Sequence, residues 1–174
     1  NENDINEKYI KKSQITFLEG YLWDEGEPRK AFDKAISCSN KVAMSLSDLF
    51  CVERHKDQFL NLVKNKLDIT FANEQEIMAL INAKEFEEVI TFTKQIKKHI
   101  VVTRGANGSM VINDGKIYEF PAKQNLKIVD LTGAGDLFAA GYLHGFLNNF
   151  DIKDSLEQGT NLSSKIIQTI GARL

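Results

Sequence analysis

The chain has 174 residues and a formal charge of −2, and 43% of its residues are apolar against 26% charged. This length and composition predict one globular domain with a substantial core. The near balance of 22 basic and 24 acidic residues argues against nucleic acid as a partner. No apolar run approaches the roughly 18 residues of a membrane span, and two cysteines are too few for a disulfide scaffold. We therefore expect a cytoplasmic protein that is not attached to a membrane.

Strand-length apolar runs alternate with helical patterns along the chain. We predict strands over 15–18, 41–46, 68–72 and 99–103, a hairpin over 109–113 and 116–120, a last strand over 126–129, and helices over 29–40, 55–66, 74–82, 85–98, 134–149 and 153–170. Asp114-Gly115 is the hairpin turn signal. Strands and helices that alternate with short connections predict an α/β fold with a largely parallel sheet. In such sheets, ligands bind at the carboxyl ends of the strands.

The most informative segment is Asp130-Leu131-Thr132-Gly133-Ala134-Gly135-Asp136, between the last predicted strand and a helix. The first amides of a helix lack internal partners and the dipole favours negative charge, so two glycines there would let a phosphate approach. Asp136 could accept a proton from an attacking hydroxyl. Alternatively, Asp136 only complements the helix dipole, and Asp130 is an ordinary turn residue. The P-loop pattern G-x-x-x-x-G-K-[ST] does not occur.

This segment resembles the C-terminal signature of the ribokinase (PfkB) family of sugar and nucleoside kinases. The resemblance implies a ribokinase-like, mostly parallel sheet flanked by helices. It also implies that the amides of Gly133, Ala134 and Gly135 form an anion hole for the γ-phosphate of ATP, and that Asp136 is the general base. Leu131 departs from the family, in which threonine is commoner.

A second segment, Asn73-Glu74-Gln75-Glu76, matches the family's N-x-x-E motif after a predicted strand. The resemblance implies that Asn73 and Glu76 help place phosphate and Mg²⁺, with Glu76 acting through water because Mg²⁺ usually keeps several waters. The alternative is that Asn73 caps the following helix, and we favour both roles together. Many family members bind K⁺ near the anion loop, and Asp130 and Thr132 match two of its contributors.

A third segment, Thr103-Arg104-Gly105-Ala106-Asn107-Gly108, is similar to the family's T-x-G-x-x-G turn. The resemblance implies that Thr103, Gly105 and Gly108 meet the nucleotide phosphates. The alternative is a tight turn with glycine at positive φ. Asn161, on the last predicted helix, stands where the family borders the adenine site; the alternative is a solvent-facing polar residue.

The resemblance covers nearly the whole chain but only the later part of the family. It implies that residues 1–174 are the C-terminal, nucleotide-binding portion of a single ribokinase-like domain, a fragment whose N-terminal strands, lid and most acceptor contacts are missing. Leu18-Glu19-Gly20-Tyr21-Leu22 and Ser45-Leu46-Ser47-Asp48 look closer to adenosine-kinase-type members. The implied reaction is transfer of the γ-phosphate to a hydroxyl of a small-molecule sugar or nucleoside, with an adenosine-like acceptor favoured, in a full-length protein that could form homodimers.

Two other functions remain as hypotheses. The chain could be a non-catalytic kinase remnant that binds a nucleotide or a partner subunit. Val129-Asp130-Leu131-x-Gly133-x-Gly135 also loosely resembles the loop that holds S-adenosylmethionine in methyltransferases. That loop normally follows the first strand of its sheet, and the position of this one argues against the methyltransferase hypothesis.

Overall fold

The computed structural model describes residues 1–23 and 25–174. Within these residues, six strands and seven α-helices follow one another. The strands are β1 (Thr16–Glu19), β2 (Val42–Ser45), β3 (Ile69–Asn73), β4 (His99–Thr103), β5 (Ser109–Asn113) and β6 (Lys116–Phe120). The helices are α1 (Glu7–Lys12), α2 (Glu27–Cys38), α3 (Leu49–Asn65), α4 (Glu74–Ile81), α5 (Phe86–Ile96), α6 (Ala134–Leu147) and α7 (Ile152–Ile166). Consecutive helices occur at α4–α5 and α6–α7, and consecutive strands run from β4 to β6.

The six strands form one sheet in chain order, from β1 to β6. The first four strands are parallel, and β5 and β6 are added antiparallel as a hairpin. Asp114 and Gly115 both have positive φ, 47° and 78°, which suits the tight turn that joins the hairpin strands. The predicted α/β fold with a largely parallel sheet is therefore confirmed.

Both faces of the sheet are buried at the central strands β2 to β5, as expected where helices cover a parallel sheet. Successive residues of a strand point to opposite faces, so the neighbours Ala43 and Met44 belong to different apolar clusters. One cluster joins the sheet to α2, α3 and α4 through Phe32, Met44, Phe59, Val63, Ile77 and Leu80. The other cluster joins it to α6 and α7 through Ala43, Phe71, Val101, Phe138, Tyr142 and Leu156.

Three helices differ from the predictions. The helix predicted over 153–170 ends earlier, at Ile166. The helix predicted over 55–66 begins earlier, at Leu49, where the Asp48 carboxylate accepts a hydrogen bond of 2.7 Å from the Phe50 amide. His55 has non-helical φ and ψ and interrupts α3. The helical spacing of apolar residues after His55 therefore does not continue into residues 49–54. Helix α1 was not predicted because it buries no residue and so has no apolar stripe.

The strand predicted over 126–129 is wrong, because the structure describes these residues and no strand forms there. The amide of Val129 donates instead to the carbonyl of Ile167 at the end of α7, at 2.8 Å. Ile128 and Val129 are 65% and 45% exposed. The segment has apolar, β-branched residues typical of a strand, but it crosses a helix end and has no strand beside it.

The two cysteines differ in burial: Cys51 is buried, whereas Cys38 is half-buried. Within residues 1–23 and 25–174, none of the helices has the length and apolar character needed to cross a bilayer.

Candidate functional site

The candidate residues gather at the carboxyl edge of the parallel strands. Asn73 at the end of β3 and Thr103 at the end of β4 are direct neighbours in the sheet register. A cavity of about 510 Å³ opens beside Thr103. Its walls come from the turn after β4, the segment before α6 and the helices α6 and α7, and they include Thr103, Gly105, Gly108, Ser109, Leu126, Ile128, Leu131, Ala134, Gly135, Phe138, Thr160, Ser163, Ser164 and Ile167.

The glycine loop begins α6, as predicted, and its two glycines differ. Gly133 is the N-cap residue with φ of +77°, and a Cβ there would lie 2.9 Å from the Ala172 Cβ. A Cβ on Gly135 would meet no atom of the described residues within 4 Å. The amide of Ala134 donates to the carbonyl of Leu131 at 3.1 Å and is therefore already engaged in the turn. A ligand can therefore approach this helix start most closely at Gly135, which lines the cavity.

Asp136 directly follows Gly135, in the first turn of α6, and it is exposed. A negative charge at this end of a helix is favourable whatever else it does. The carboxylate stands next to the open helix start, within reach of solvent or a ligand. This placement is consistent with a general base and equally with a residue that only stabilises the helix dipole.

Asp130 holds the loop to the end of the chain. One carboxylate oxygen accepts hydrogen bonds from the Thr132 hydroxyl at 2.6 Å and the Thr132 amide at 2.9 Å, and the other accepts from the Gly171 amide at 2.9 Å. These bonds, led by that from the Thr132 hydroxyl, lower the pKa of Asp130 to about 2. A carboxylate offers about four acceptor positions, so the Asp130 and Thr132 oxygens could still contact a K⁺ ion. Their part in a cation site stays a prediction.

Asn73 and Glu76 form a closed capping box at the start of α4. The Asn73 side chain accepts from the Glu76 amide at 2.8 Å, while its side-chain and backbone amides donate to the two Glu76 carboxylate oxygens at 2.7 and 2.9 Å. Glu76 is only 5% exposed. Burial raises the pKa of Glu76, and the hydrogen bond from the Asn73 backbone offsets this rise only in part. The capping role of Asn73 is confirmed.

The fit of this box to Mg²⁺ can be judged from these contacts. Both Glu76 oxygens are already occupied by Asn73, so Glu76 fits an ion held through water better than one bound directly. Among the described residues, no group of three or more histidine, cysteine or acidic side chains could hold a metal ion. The Mg²⁺ role of Glu76 therefore stays a prediction. An ion there would need further oxygen ligands from a bound nucleotide or from water.

The glycines of the turn after β4 adopt the positive φ angles that a tight turn requires. Gly105 and Gly108 have φ of +55° and +85°, and a Cβ on Gly108 would lie 2.2 Å from the Phe120 carbonyl oxygen. The amide of Arg104 donates to the Gly108 carbonyl at 2.8 Å and closes the turn. Thr103, Gly105 and Gly108 also line the cavity, so the same residues are available for a ligand.

Asn161 lies half-buried on α7 but is not among the described residues that line the cavity. Its helical neighbours Thr160, Ser163 and Ser164 line it instead. Sequence reasoning missed these three, although small polar residues at i, i+3 and i+4 mark one helix face. The role of Asn161 at the adenine site stays a prediction.

The chain is similar to known proteins in both sequence and structure. The family model described as pfkB family carbohydrate kinase matches residues 1–174. Adenosine kinase 2 from Arabidopsis thaliana is 28% identical over 93% of this chain and 51% of that protein. A 5-dehydro-2-deoxygluconokinase from Clostridium botulinum is 27% identical over 95% of this chain and 52% of its own length. The chain thus spans about half the length of these relatives.

Solved structures agree with the fold. The adenosine kinase from Sinorhizobium meliloti superposes with a TM-score of 0.95 and 32% identity, covering 99% of this chain and 54% of that one. A structure described as a ribokinase II from E. coli, in complex with ATP and Mg²⁺, has a TM-score of 0.86 at 17% identity, covering 98% of this chain and 57% of that one. The match of the whole chain to a kinase family contradicts the methyltransferase hypothesis.

Proposed function

Because this chain belongs to the pfkB family of carbohydrate kinases, we propose that it is the nucleotide-binding portion of an ATP-dependent kinase that phosphorylates a hydroxyl of a sugar or nucleoside. An adenosine-like acceptor is favoured, since adenosine kinases are among the relatives in both sequence and structure. One observation carries the proposal. A single cavity is bordered by the glycine turn after β4 and the open start of α6, next to exposed Asp136.

The phosphate end of ATP would lie at the start of α6. The helix dipole and the Gly135 amide would stabilise the negative charge of the transferring phosphoryl group. The turn of Thr103, Gly105 and Gly108 would hold the other phosphates, because it lines the same cavity. Phosphoryl transfer depends mainly on positioning and charge stabilisation, which are the properties that these backbone elements provide.

Cations would complete the charge balance around the phosphates. Mg²⁺, when bound, neutralises part of the phosphate charge. Asn73 and Glu76 would hold it through water, in keeping with the closed capping box. Asp130 and Thr132 would contribute oxygen atoms to a K⁺ site near the glycine loop. The support for these roles is the family resemblance and the oxygen-rich character of the residues.

Asp136 would act as the general base. Its carboxylate would accept the proton of the acceptor hydroxyl while that oxygen attacks the γ-phosphorus. The attack forms the new P–O bond as the bond to the leaving diphosphate breaks. An exposed carboxylate beside the open helix start supports this assignment.

The test replaces Asp136 in the intact protein. We expect Asp136→Asn to lower kcat by about a hundred- to ten-thousandfold, the usual worth of a general base, while MgATP affinity stays nearly unchanged. The matched control is Asp154→Asn. Asp154 is also an exposed aspartate in a first helical turn, but it lies at the start of α7, whereas only the last turns of α7 line the cavity. The control loses the same dipole interaction and should keep full turnover.

Steady-state kinetics with sugar and nucleoside acceptors, together with calorimetric titration of MgATP, give the readout. Turnover that survives Asp136→Asn would show that Asp136 is not the base. An unmodified protein that binds MgATP but phosphorylates none of the acceptors would favour the non-catalytic remnant. Absence of MgATP binding by the folded intact protein would refute the nucleotide assignment altogether.

A further inference from the structure

Arg104 belongs to the nucleotide-side turn, but its side chain points away from the cavity. Its Nε donates to a carboxylate oxygen of Glu74 at 2.8 Å. Its guanidinium carbon lies 3.9 Å from the centre of the Phe86 ring. The Arg104 and Glu74 side chains are only 20% and 30% exposed. Arg104 thus contacts both α4 and α5, and it is not among the described residues that line the cavity.

Arg104 makes two of the three backbone hydrogen bonds within the turn. Its amide donates to the Gly108 carbonyl at 2.8 Å, and its carbonyl accepts from the Asn107 amide at 3.0 Å. In the third, the amide of Gly108 donates to the carbonyl of Gly105 at 3.1 Å. The chain neighbours of Arg104, Thr103 and Gly105, line the cavity. Because two of these three hydrogen bonds involve the backbone of this one residue, holding the Arg104 side chain helps to hold the turn.

Glu74 connects the same contact to the capping box. It is the first residue of α4 and directly follows Asn73, whose side chain is bonded to Glu76. The Asn73–Thr103 pair ends the β3–β4 register. The Arg104–Glu74 ion pair continues this contact one residue beyond the sheet, where the backbones are no longer paired.

We propose that Arg104 is a positioning residue that sets the distance between the nucleotide turn and the Asn73–Glu76 box. The inference rests on the proposed function, since those two segments would hold the phosphates and Mg²⁺. An exposed ion pair would contribute almost nothing. This one is largely shielded, is a charge-assisted hydrogen bond, and is combined with stacking on Phe86. Lysine cannot reproduce that combination, because it lacks the planar guanidinium.

The experiment is a double-mutant cycle in the intact protein, with Arg104→Gln, Glu74→Gln and the double variant. We expect each single change to raise KM for MgATP about tenfold and to change kcat less than about threefold, because the turn moves while the base is untouched. The double variant should be no worse than the worse single one, since both remove the same contact. The control is Lys30→Gln, which breaks the exposed Lys30–Glu27 pair on α2.

Two further measurements separate positioning from general damage. Thermal unfolding reports whether a variant is folded, and Arg104→Lys supplies a milder change that keeps the charge and most of the side chain. It should raise KM for MgATP by a smaller factor than Arg104→Gln. Calorimetric Kd values for MgATP should follow the KM values, independently of turnover.

The outcomes are distinct. Folded variants of a working kinase that keep the parent KM and Kd for MgATP would overturn the positioning role and leave the kinase assignment intact. Additive effects of the two single changes would also overturn it, because they would show that Arg104 does not act through Glu74. An unmodified protein that neither binds MgATP nor transfers phosphate would refute the proposed function, and the positioning role with it.

Discussion

At the residue scale, the candidate site depends on its glycines, which have no side chain, as much as on its polar side chains. Gly133 and Gly135 stand two positions apart in one motif, but the structure gives them different environments. Gly133 has positive φ and lies against Ala172, whereas Gly135 faces open space at the cavity. The motif alone does not distinguish a glycine that the backbone requires from one that leaves room for a ligand.

This contrast predicts opposite effects of alanine at the two positions. Gly135→Ala should leave the free energy of unfolding within about 1 kcal/mol of the parent, because alanine suits a helix better than glycine. It should weaken MgATP binding, since a methyl group would enter the phosphate approach. Gly133→Ala should cost about 1–3 kcal/mol through backbone strain.

Denaturant unfolding and calorimetric titration of both variants check the two halves of this prediction. Gly133→Ala provides the comparison in which backbone strain lowers the free energy of unfolding. Unchanged MgATP affinity in folded Gly135→Ala would mean that no phosphate approaches this helix start.

At the element scale, the close packing of α6 on α7 shapes the cavity. Three glycines on these helices, Gly141, Gly145 and Gly159, have almost no room for a side chain. A Cβ on Gly141 would lie 2.6 Å from the carbonyl oxygen of Gln158, which is backbone and cannot rotate aside. The start of α6 and the last turns of α7 face the cavity from two sides, so the helix separation sets its width.

We expect Gly141→Ala to lower the free energy of unfolding by about 1–3 kcal/mol, because the added methyl overpacks the helix interface. Ala140→Ser is the matched control, since Ala140 is exposed on the same helix. Urea unfolding of the two variants measures the difference. Equal stability of Gly141→Ala and the parent would show that the two helices can separate without cost.

At the scale of the whole molecule, a buried histidine links stability to pH. His99 begins β4, and its Nε2 lies 2.7 Å from the hydroxyl of Tyr142 on α6. Burial, with a smaller contribution from Lys41, lowers the pKa of His99 to about 4, and burial raises the pKa of Tyr142. Folding therefore holds this imidazole neutral at pH values where the unfolded chain would protonate it.

The sign of the effect follows from proton linkage. Between the ordinary pKa of 6.5 and the folded value of about 4, the unfolded state binds more protons, so stability falls as pH falls through this window. The loss at the acid end is at most about 3 kcal/mol. His99→Gln should flatten this part of the profile and leave MgATP binding unchanged, since His99 is at the other end of β4 from Thr103.

Urea unfolding between pH 4 and pH 7 provides the measurement. His144→Gln is the control, because His144 is an exposed histidine on α6. A slope in His99→Gln as steep as in the parent would mean that other groups cause the acid sensitivity.

Several elements could be predicted because their causes are local. The hairpin turn at Asp114-Gly115 needs positive φ at adjacent positions, and those residue types favour it. The parallel strands are short apolar runs, and Asn73 has both the residue type and the position of a cap. By the same reasoning α1 was missed, because a helix that buries no residue leaves no pattern.

The sequence by itself determined the alternating elements, the glycine loop at a helix start with its aspartate, and the family. These depend on residue type and short-range spacing, which the chain carries wherever it folds. Only the tertiary structure decided that 126–129 rests on the end of α7 and not in the sheet, and that Arg104 turns from the cavity to Glu74 and Phe86. Those outcomes depend on which distant segments come together, and packing over the whole chain selects them.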